Sequence, residues 1–216
     1  MPNSDQIVLL DFFPSVFGIR VRLALAAKGF EYEGKEEDLT GGKSSLLLKM
    51  NPIPVLIHNS KPICESLIIV EYIDEVWKDI CPLLPTNPYQ KAKAKFWPDF
   101  IDKMVYPCSK KLWKAKGEEQ EDGKKEFVDR IKLLEGELKS YPYFGGESLG
   151  FLDIAFLPFY CWFYTFEAFG NFSIEAECPK LVAWGKRCME EFVSRSLPHQ
   201  HKIYDLVVEF NKKVGI

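Results

Sequence analysis

The first 80 residues alternate short apolar runs with amphipathic stretches. Residues 7–13 form an almost continuous apolar run that ends at Pro14, and such a run predicts a strand buried on both faces, as in a parallel sheet. Residues 18–28 are rich in helix formers and stop at Gly29, so a helix is expected to follow the strand. The chain is therefore predicted to open with a strand, a turn and a helix.

The same alternation continues up to the third predicted helix. Further strands are predicted over residues 30–36 and 54–58, with a short irregular helix over residues 40–50 between them. Residues 66–77 carry apolar side chains at helical spacing, which predicts an amphipathic helix with Ser66 as its N-cap. This order of elements predicts an α/β domain over residues 1–80.

The second part of the chain has a different pattern. Three prolines stand between Asp79 and Tyr89, and because proline interrupts both helix and strand they mark a linker over residues 81–90. Beyond it the apolar positions follow helical spacing with few strand signals, so residues 91–216 are predicted to form an all-helical domain. The stretches with helical spacing are 90–114, 123–138, 153–169, 178–191 and 199–213.

Composition and charge narrow the class of protein. The chain is 47% hydrophobic and 14% aromatic, which is typical of a globular protein and excludes a disordered one. A net charge of -3 argues against nucleic acid as a partner. The six cysteines contain no C-x-x-C pair, so neither a zinc cluster nor a redox dithiol is indicated. With a polar start and no apolar run of membrane-spanning length, we expect a soluble cytoplasmic protein that binds neither metal nor membrane.

Ser15 is the first candidate for chemistry. It follows a buried strand and precedes a helix, and the free N–H groups and dipole at a helix start favour negative charge. Taken alone, Ser15 is better interpreted as an ordinary N-cap, because caps are far commoner than catalytic serines and no Gly-x-Ser-x-Gly motif of a hydrolase surrounds it. Ser15 alone therefore leaves the function open.

Two further segments stand before a strand and a helix. In Ile53-Pro54 a proline directly precedes an apolar strand; a cis bond there would turn the backbone of Ile53 outward, where it could pair with an extended peptide. Glu65-Ser66 precedes a helix, and a carboxylate, a hydroxyl and free N–H groups can together hold the two charged groups of an amino acid. A tight turn and a simple cap are the structural alternatives.

The order of these signals resembles one family over essentially the whole chain. A strand-serine-helix unit, Ile-Pro before a strand, Glu-Ser before a helix, a proline linker and a helical second half resemble the cytosolic glutathione transferases. Several sequence motifs also resemble those of the plant tau class. They are DFFPSVFGIRVR from Asp11, EEDL from Glu36, IPVLIHN from Ile53, KPICES from Lys61, YIDEVW from Tyr72, AKFW from Ala94, YFGG from Tyr143, FLDIA from Phe151 and CPK from Cys178.

The resemblance implies a fold and a glutathione site. It implies a thioredoxin-like N-terminal domain that binds glutathione as co-substrate, followed by the all-helical domain. The hydroxyl of Ser15 would hold the glutathione sulfur as a thiolate, which is the nucleophilic form of a thiol. Ile53 beside cis Pro54 would pair with the cysteinyl part, Glu65 and Ser66 would hold the γ-glutamyl end, and Lys43 would reach the glycyl carboxylate.

The resemblance also implies an acceptor pocket between the domains and a homodimer. Aromatic walls favour flat apolar electrophiles, so conjugation of xenobiotics in detoxification and stress is expected, with glutathione peroxidase as a side activity. The pocket residues implied are Phe17, Tyr106, Lys110, Trp113, Trp162 and Phe210.

One departure and two alternatives accompany this interpretation. Tau-class chains usually carry a His-Lys-Lys stretch between Asn-Pro and Ile-Pro, whereas here Pro52 runs directly into Ile53, so Lys43 would serve the glycyl carboxylate alone. Relatives that reduce disulfides or dehydroascorbate carry cysteine where this chain has Ser15, which argues against reductase activity, as does the apolar run around Cys64. The other alternative is a carrier that binds hydrophobic ligands such as flavonoids without turnover.

Overall fold

A four-stranded mixed sheet organises the N-terminal part of the chain in the computed structural model, which describes residues 6–37, 53–191 and 195–215. The spatial order of the strands is β2-β1-β3-β4. The central strand β1 runs parallel to β2 and antiparallel to β3, and β4 is antiparallel to β3. The strands are β1 (Ile7–Asp11), β2 (Glu33–Glu36), β3 (Val55–His58) and β4 (Lys61–Cys64).

Strands β1 and β3 lie on predicted apolar runs, β2 lies within the strand predicted over residues 30–36 although all four of its residues are exposed, and β4 is an addition. All five residues of β1 are buried, as expected for a central strand with both faces covered. Strand β4 was not predicted, because Lys61 is polar and Pro62 has no N–H group to donate a ladder hydrogen bond. Both are exposed and β4 lies at the sheet edge, where proline is tolerated.

Two helices belong to the same compact unit as the sheet and pack on each other: α1 (Val16–Lys28) and α2 (Ser66–Val76). Gly29 ends α1 in the left-handed region with φ 74, as predicted. Ser66 is not the N-cap of α2, which corrects the sequence-based expectation. Glu65 occupies that position and Ser66 is the first helical residue, its buried hydroxyl accepting a hydrogen bond from Arg20 Nη1 at 3.2 Å.

Lys28 joins the far ends of these two helices. Its side chain is fully buried, and Nζ lies 2.7 Å from Asp74 Oδ1. It also donates to the carbonyl oxygens of Trp77, Ile80 and Cys81 at 3.1, 2.6 and 3.1 Å. A buried ammonium is tolerated only when it is paired and hydrogen-bonded, and the backbone that follows α2 supplies these acceptors.

The second compact unit, residues 83–191 and 198–215, is helical. The predicted class, an α/β thioredoxin-like domain followed by an all-helical one, is confirmed. The helices are α3 (Pro88–Phe100), a π-helical turn (Ile101–Val105), α4 (Tyr106–Lys114), α5 (Glu118–Leu138), α6 (Phe151–Gly170), α7 (Ile174–Glu177), α8 (Pro179–Glu190) and α9 (Gln200–Val214).

A buried carboxylate holds the centre of this helical unit. Asp153, in the first turn of α6, is 0% exposed. It accepts backbone N–H bonds from Phe144, Gly145 and Gly150 at 3.0, 2.9 and 2.8 Å, and a bond from the Trp184 indole at 2.7 Å. These four donors replace the water that burial removes. The carboxylate therefore fixes the start of α6 against the preceding loop and against α8.

The longest predicted helix is one run with an irregular middle. Helices α3 and α4 are continuous through the π-helical turn, with Pro98 before the turn and Pro107 after it. Because proline cannot donate the helical hydrogen bond, such sites favour local changes of helical pitch. The irregular helix expected over residues 40–50 lies outside the described residues. Within 6–37, 53–191 and 195–215, no helix combines the length and apolarity needed to cross a membrane.

We predict that Lys28→Met lowers the free energy of unfolding by about 3–5 kcal/mol, because it leaves Asp74 as a buried charge without its cation. The matched control is Lys35→Met, since Lys35 pairs with Glu33 on the surface, with side chains 53% and 59% exposed, and should change stability by less than about 1 kcal/mol. Urea titrations followed by circular dichroism measure both. Equal midpoints for the two variants would contradict the structural role assigned to Lys28.

Candidate active site

The sheet register brings three chain segments to one end of the sheet. Leu10, near the end of β1, pairs with Val55, the first residue of β3. Val55 also pairs with Cys64, the last residue of β4. The segments that leave the sheet here therefore begin or end within a few residues of each other in the register. They are the β1–α1 turn with Ser15, the approach to β3 with Ile53-Pro54, and the β4–α2 junction with Glu65-Ser66.

Ser15 is half-buried at the N-cap of α1. Its backbone N–H donates to the Phe12 carbonyl at 2.9 Å, and its hydroxyl oxygen accepts from the Gly18 N–H at 3.4 Å. That capping contact is longer than the usual 2.9–3.0 Å. The hydroxyl thus sits at the positive end of a helix with a weak internal partner, where an anion is favoured.

A cis peptide bond joins Ile53 to Pro54, as expected from the sequence. Ile53 is half-buried and packs against the buried pair Leu10 and Val55, and Pro54 is buried. The side chain of Ile53 is thereby held on the sheet, directly before the first residue of β3. The backbone of this turn belongs to the same end of the sheet as Ser15.

Glu65 has an uncommon backbone conformation, with φ 69 and ψ 114. A positive φ in a residue other than glycine stores strain of about 1–3 kcal/mol and is concentrated at functional sites. Glu65 is exposed and Ser66 is buried, so the junction presents a carboxylate to solvent at the start of α2. The Glu65 side chain makes no capping hydrogen bond to the helix that it precedes.

Arg20 is a buried charge that the sequence analysis did not single out. It is 0% exposed, donates to Ser66 Oγ, and its guanidinium lies 5.3 Å from the centre of the Phe17 ring. The signal in the sequence is a cation at a core-facing position of α1, since Arg20 and Lys28 are eight residues apart and share one helix face. Lys43 lies outside the described residues.

The β1–α1 turn is crowded by the side chain of Asp11. A Cβ atom built on Gly18 would lie 1.5 Å from Asp11 Oδ1 and 2.3 Å from its carboxyl carbon. Only a residue without a side chain fits there, so the carboxylate lies directly against the first turn of α1. Gly18 is also the residue whose N–H reaches the Ser15 hydroxyl.

Three of the acceptor residues predicted in the second unit group around Trp113, and two others, Lys110 and Tyr106, contact each other. The Trp113 ring lies 5.8 Å from Trp162 and 6.0 Å from Phe210, and Lys110 Nζ lies 4.5 Å from the centre of the Tyr106 ring. Helix α4 carries Tyr106, Lys110 and Trp113, spaced three and four residues apart, on one face. Trp162 comes from α6 and Phe210 from α9. Phe17 lies on α1 in the first unit.

The Tyr106 phenol is held in its neutral form. Burial raises its pKa above the ordinary value near 10, and the charge of Asp102 adds to the shift. A phenol with a raised pKa remains a hydrogen-bond donor at neutral pH. Tyr106 can therefore donate to an anionic or nitro oxygen on a bound aromatic molecule.

Cys64 does not have the surroundings of a reactive thiol. Burial raises its pKa, and the carboxylate of Glu65 raises it further, so the thiolate is disfavoured. The sulfur packs with Leu10 and Val55. Within the part of the chain that the structure describes, no three His, Cys, Asp or Glu residues are grouped closely enough to hold a metal ion.

Two family models match the chain. The N-terminal domain of glutathione S-transferases matches residues 5–75, and the C-terminal domain of the same family matches residues 94–191. Among curated relatives, the probable glutathione S-transferase parA of Nicotiana tabacum is 60% identical over 99% of both chains. Glutathione S-transferase U25 of Arabidopsis thaliana is 58% identical over 99% of this chain and 98% of its own.

Solved structures agree with these matches. The rice glutathione transferase OsGSTU1, crystallised with glutathione, superposes with a TM-score of 0.93 at 42% identity, covering 99% of this chain and 100% of that one. The tau-class glutathione S-transferase of mango has a TM-score of 0.87 at 39% identity, over 93% and 96% of the two chains. The chain therefore belongs to the glutathione S-transferase family, and these relatives place it in the tau class. Glutathione is the co-substrate of this family.

We predict that Gly18→Ala destabilises the protein by about 1–3 kcal/mol, because the new methyl group would overlap the Asp11 carboxylate. A loss of stability would be informative, since replacing glycine by alanine in a helix normally stabilises a protein. Gly34→Ala is the matched control in the same domain, because its Cβ would meet nothing closer than 3.7 Å. Thermal unfolding compares the two, and a Gly18→Ala variant as stable as the parent would contradict the close contact.

Proposed function

We propose that this chain transfers the thiolate of glutathione to small apolar, often aromatic, electrophiles, with Ser15 as the catalytic residue. The observation that carries the proposal is the position of the Ser15 hydroxyl at the N-terminus of α1, with only a 3.4 Å contact to its capping N–H. A hydroxyl with such a weak partner can donate to a sulfur anion. The helix dipole favours the same charge.

Ionisation of the thiol is the step that the protein must assist. A free thiol with a pKa of about 8.5 is mostly protonated at neutral pH, and the thiolate is the nucleophile. Each unit by which the pKa falls corresponds to about 1.4 kcal/mol of preferential binding of the thiolate. A charge-assisted hydrogen bond contributes about 1.5–3 kcal/mol, so one hydroxyl accounts for a shift of roughly one to two units.

The rest of glutathione is assigned to the same end of the sheet. Ile53, next to Pro54, would pair through its backbone with the cysteinyl part. Glu65 would bind the γ-glutamyl ammonium, and Ser66, with the N–H groups that open α2, would bind the γ-glutamyl carboxylate. Lys43 would bind the glycyl carboxylate. The strained, exposed conformation of Glu65 supports a binding role, because a purely structural cap would gain nothing from it.

The electrophile is assigned to the aromatic residues. The Trp113 ring packs against both Trp162 and Phe210, and the three rings would provide flat apolar walls. Tyr106 would donate a hydrogen bond to a polar substituent, and Lys110, whose ammonium faces the Tyr106 ring, would balance negative charge that develops on the acceptor. Detoxification of xenobiotics is the proposed role, and attack of the thiolate on a hydroperoxide is a proposed side activity.

The protein is proposed to act as a homodimer in the cytoplasm. Tyr89 and Phe96, seven residues apart on α3, are 78% and 57% exposed, and large exposed aromatic residues on one helix face favour burial against a second copy. All six cysteines are free thiols, which suits a reducing compartment. The names of the relatives give no support to a carrier without turnover.

Ser15→Ala is expected to lower kcat/KM for conjugation of a chlorinated nitrobenzene about ten- to hundredfold, since the lost hydrogen bond acts mainly on the thiolate. Affinity for glutathione, measured by calorimetry, should change far less. The control is Ser173→Ala, because Ser173 caps α7 through the Ala176 N–H at 3.2 Å and its loss removes a cap without touching the site. If Ser15→Ala turned over substrate at the parent rate from pH 6 to 8, Ser15 would act only as a helix cap, and the proposed catalytic role would be contradicted.

Glu65→Ala is expected to raise the KM and the dissociation constant for glutathione by about tenfold, with kcat nearly unchanged. The reason is that a carboxylate paired with the γ-glutamyl ammonium stabilises the ground state and the transition state alike. Glu33→Ala serves as the control, because it removes an exposed carboxylate from the same domain. An unchanged dissociation constant in folded Glu65→Ala would remove this residue from the site.

A further inference from the structure

Asp11 and Arg22 form an enclosed ion pair that the proposed chemistry does not use. Arg22 Nε lies 3.0 Å from Asp11 Oδ2, and the two side chains are only 15% and 13% exposed. Asp11 ends β1, and Arg22 lies on α1 two residues beyond Arg20. A pair that has lost this much water is strongly sensitive to the charge state of either partner.

Both members of the pair hold the backbone of the turn that leads to Ser15. Asp11 Oδ1 accepts the Phe12 N–H at 2.7 Å, and Arg22 Nη2 donates to the Phe13 carbonyl at 2.7 Å. The Phe12 carbonyl in turn accepts the Ser15 N–H at 2.9 Å. Charged side chains therefore hold the Asp11–Phe12 and Phe13–Pro14 peptide groups, and the Phe12–Phe13 peptide group between them accepts the Ser15 N–H.

Gly18 connects the same pair to the Ser15 hydroxyl. The Asp11 carboxylate fills the space where a Gly18 side chain would be, while the Gly18 N–H points at Ser15 Oγ. A shift of the carboxylate therefore changes the packing of the peptide that contacts the hydroxyl. The ion pair is therefore connected to Ser15 in two ways, through the β1–α1 turn and through Gly18 in the first turn of α1.

We propose that Asp11 and Arg22 are positioning residues for Ser15, and that protonation of Asp11 loosens the β1–α1 turn and lowers thiolate formation in acid. This inference rests on the proposed role of Ser15 in holding the glutathione sulfur. Neither residue touches the reacting atoms. Their contribution is geometric, because small displacements of a catalytic group change rates by one to two orders of magnitude.

The electrostatic setting places the transition near physiological pH. The pKa of Asp11 is raised to about 6, because burial raises it more than Arg22 and the Phe12 N–H lower it, with a smaller upward contribution from the charge of Glu36. Burial also raises the pKa of Tyr32, so this neighbour stays neutral. A cleft of about 250 Å³, also lined by Lys35, opens onto the pair and gives protons access to it.

Stability and activity should respond to pH in opposite directions. A carboxyl whose pKa is raised from 3.8 to about 6 binds more protons in the folded state than in the unfolded state between these values. Its contribution to stability is therefore present at low pH and is lost as pH rises through about 6. Asp11→Asn imitates the protonated form and is expected to fold, so a loss of activity in this variant is separable from unfolding.

The experiment compares Asp11→Asn in two backgrounds, the parent and Ser15→Ala. In the parent background kcat/KM at pH 7.5 should fall by about tenfold, an effect within the range for misplaced groups, and the fall in activity below pH 6 should become shallower. The ultraviolet absorbance of the bound glutathione thiolate should titrate at higher pH. In the Ser15→Ala background Asp11→Asn should have no further effect on kcat/KM, because the group it positions is gone.

Two additional variants make the result specific. Asp74→Asn removes another buried carboxylate that is paired with a cation in this domain, and should lower stability while leaving the thiolate titration unchanged. Arg22→Lys keeps a cation beside Asp11 but loses the planar guanidinium, which contacts Asp11 and the Phe13 carbonyl at the same time. This variant should lower kcat/KM as Asp11→Asn does.

Three outcomes distinguish a failure of the positioning role of Asp11 and Arg22 from a failure of the catalytic role proposed for Ser15. Parent-like kcat/KM and pH profile for Asp11→Asn would overturn the positioning role, and so would an equal loss of activity in both backgrounds. Full activity of Ser15→Ala by itself would instead overturn the proposed function of Ser15. Should Asp11→Asn fail to fold, Arg22→Lys in both backgrounds provides the same comparison.

Discussion

Two cations on the core-facing side of α1 constrain the N-terminal domain more than any other feature. Arg20 is fully buried and the Lys28 side chain is too, and removing a cation from water is expensive unless acceptors replace the water. Helix α2 and the residues after it provide them, with the Ser66 hydroxyl at one end and Asp74 with three carbonyl oxygens at the other. The two helices can therefore pack in only one register, because sliding either past the other would leave a buried charge unpaired.

This register has a direct consequence for the glutathione site. Ser15 opens α1, and Ser66 opens α2, so the Arg20 bridge relates the two helix starts that are assigned to the sulfur and to the γ-glutamyl group. The sheet supplies the third segment, since Leu10 pairs with Val55 and Val55 with Cys64. Helix N-termini and a sheet end thus meet where an anionic tripeptide can be held by backbone N–H groups.

The helical domain contributes a surface of another kind. Its interior is fixed by the buried Asp153 and its four donors, whereas Trp113, Trp162 and Phe210 remain partly exposed around one another. Aromatic faces select molecules by flatness and apolar area rather than by a pattern of hydrogen bonds. The acceptor site that we propose here would therefore take a class of flat apolar electrophiles rather than one molecule.

The sequence by itself determined the order of the elements and the chemistry of the turns. The apolar run of β1, the Gly29 stop, Ile53-Pro54 and Glu65-Ser66 are local signals, because strand burial, helix capping and proline geometry depend on a few neighbouring residues. The tertiary structure decided what depends on distant partners. Strand β4 is too short and polar to be recognised alone. Ser66 does not cap α2 but accepts a hydrogen bond from the buried Arg20, 46 residues earlier. Asp11 and Arg22 meet only because α1 folds back over the end of β1. Whether a charged residue faces water or the interior is set by the elements packed against it, and no local pattern records that choice.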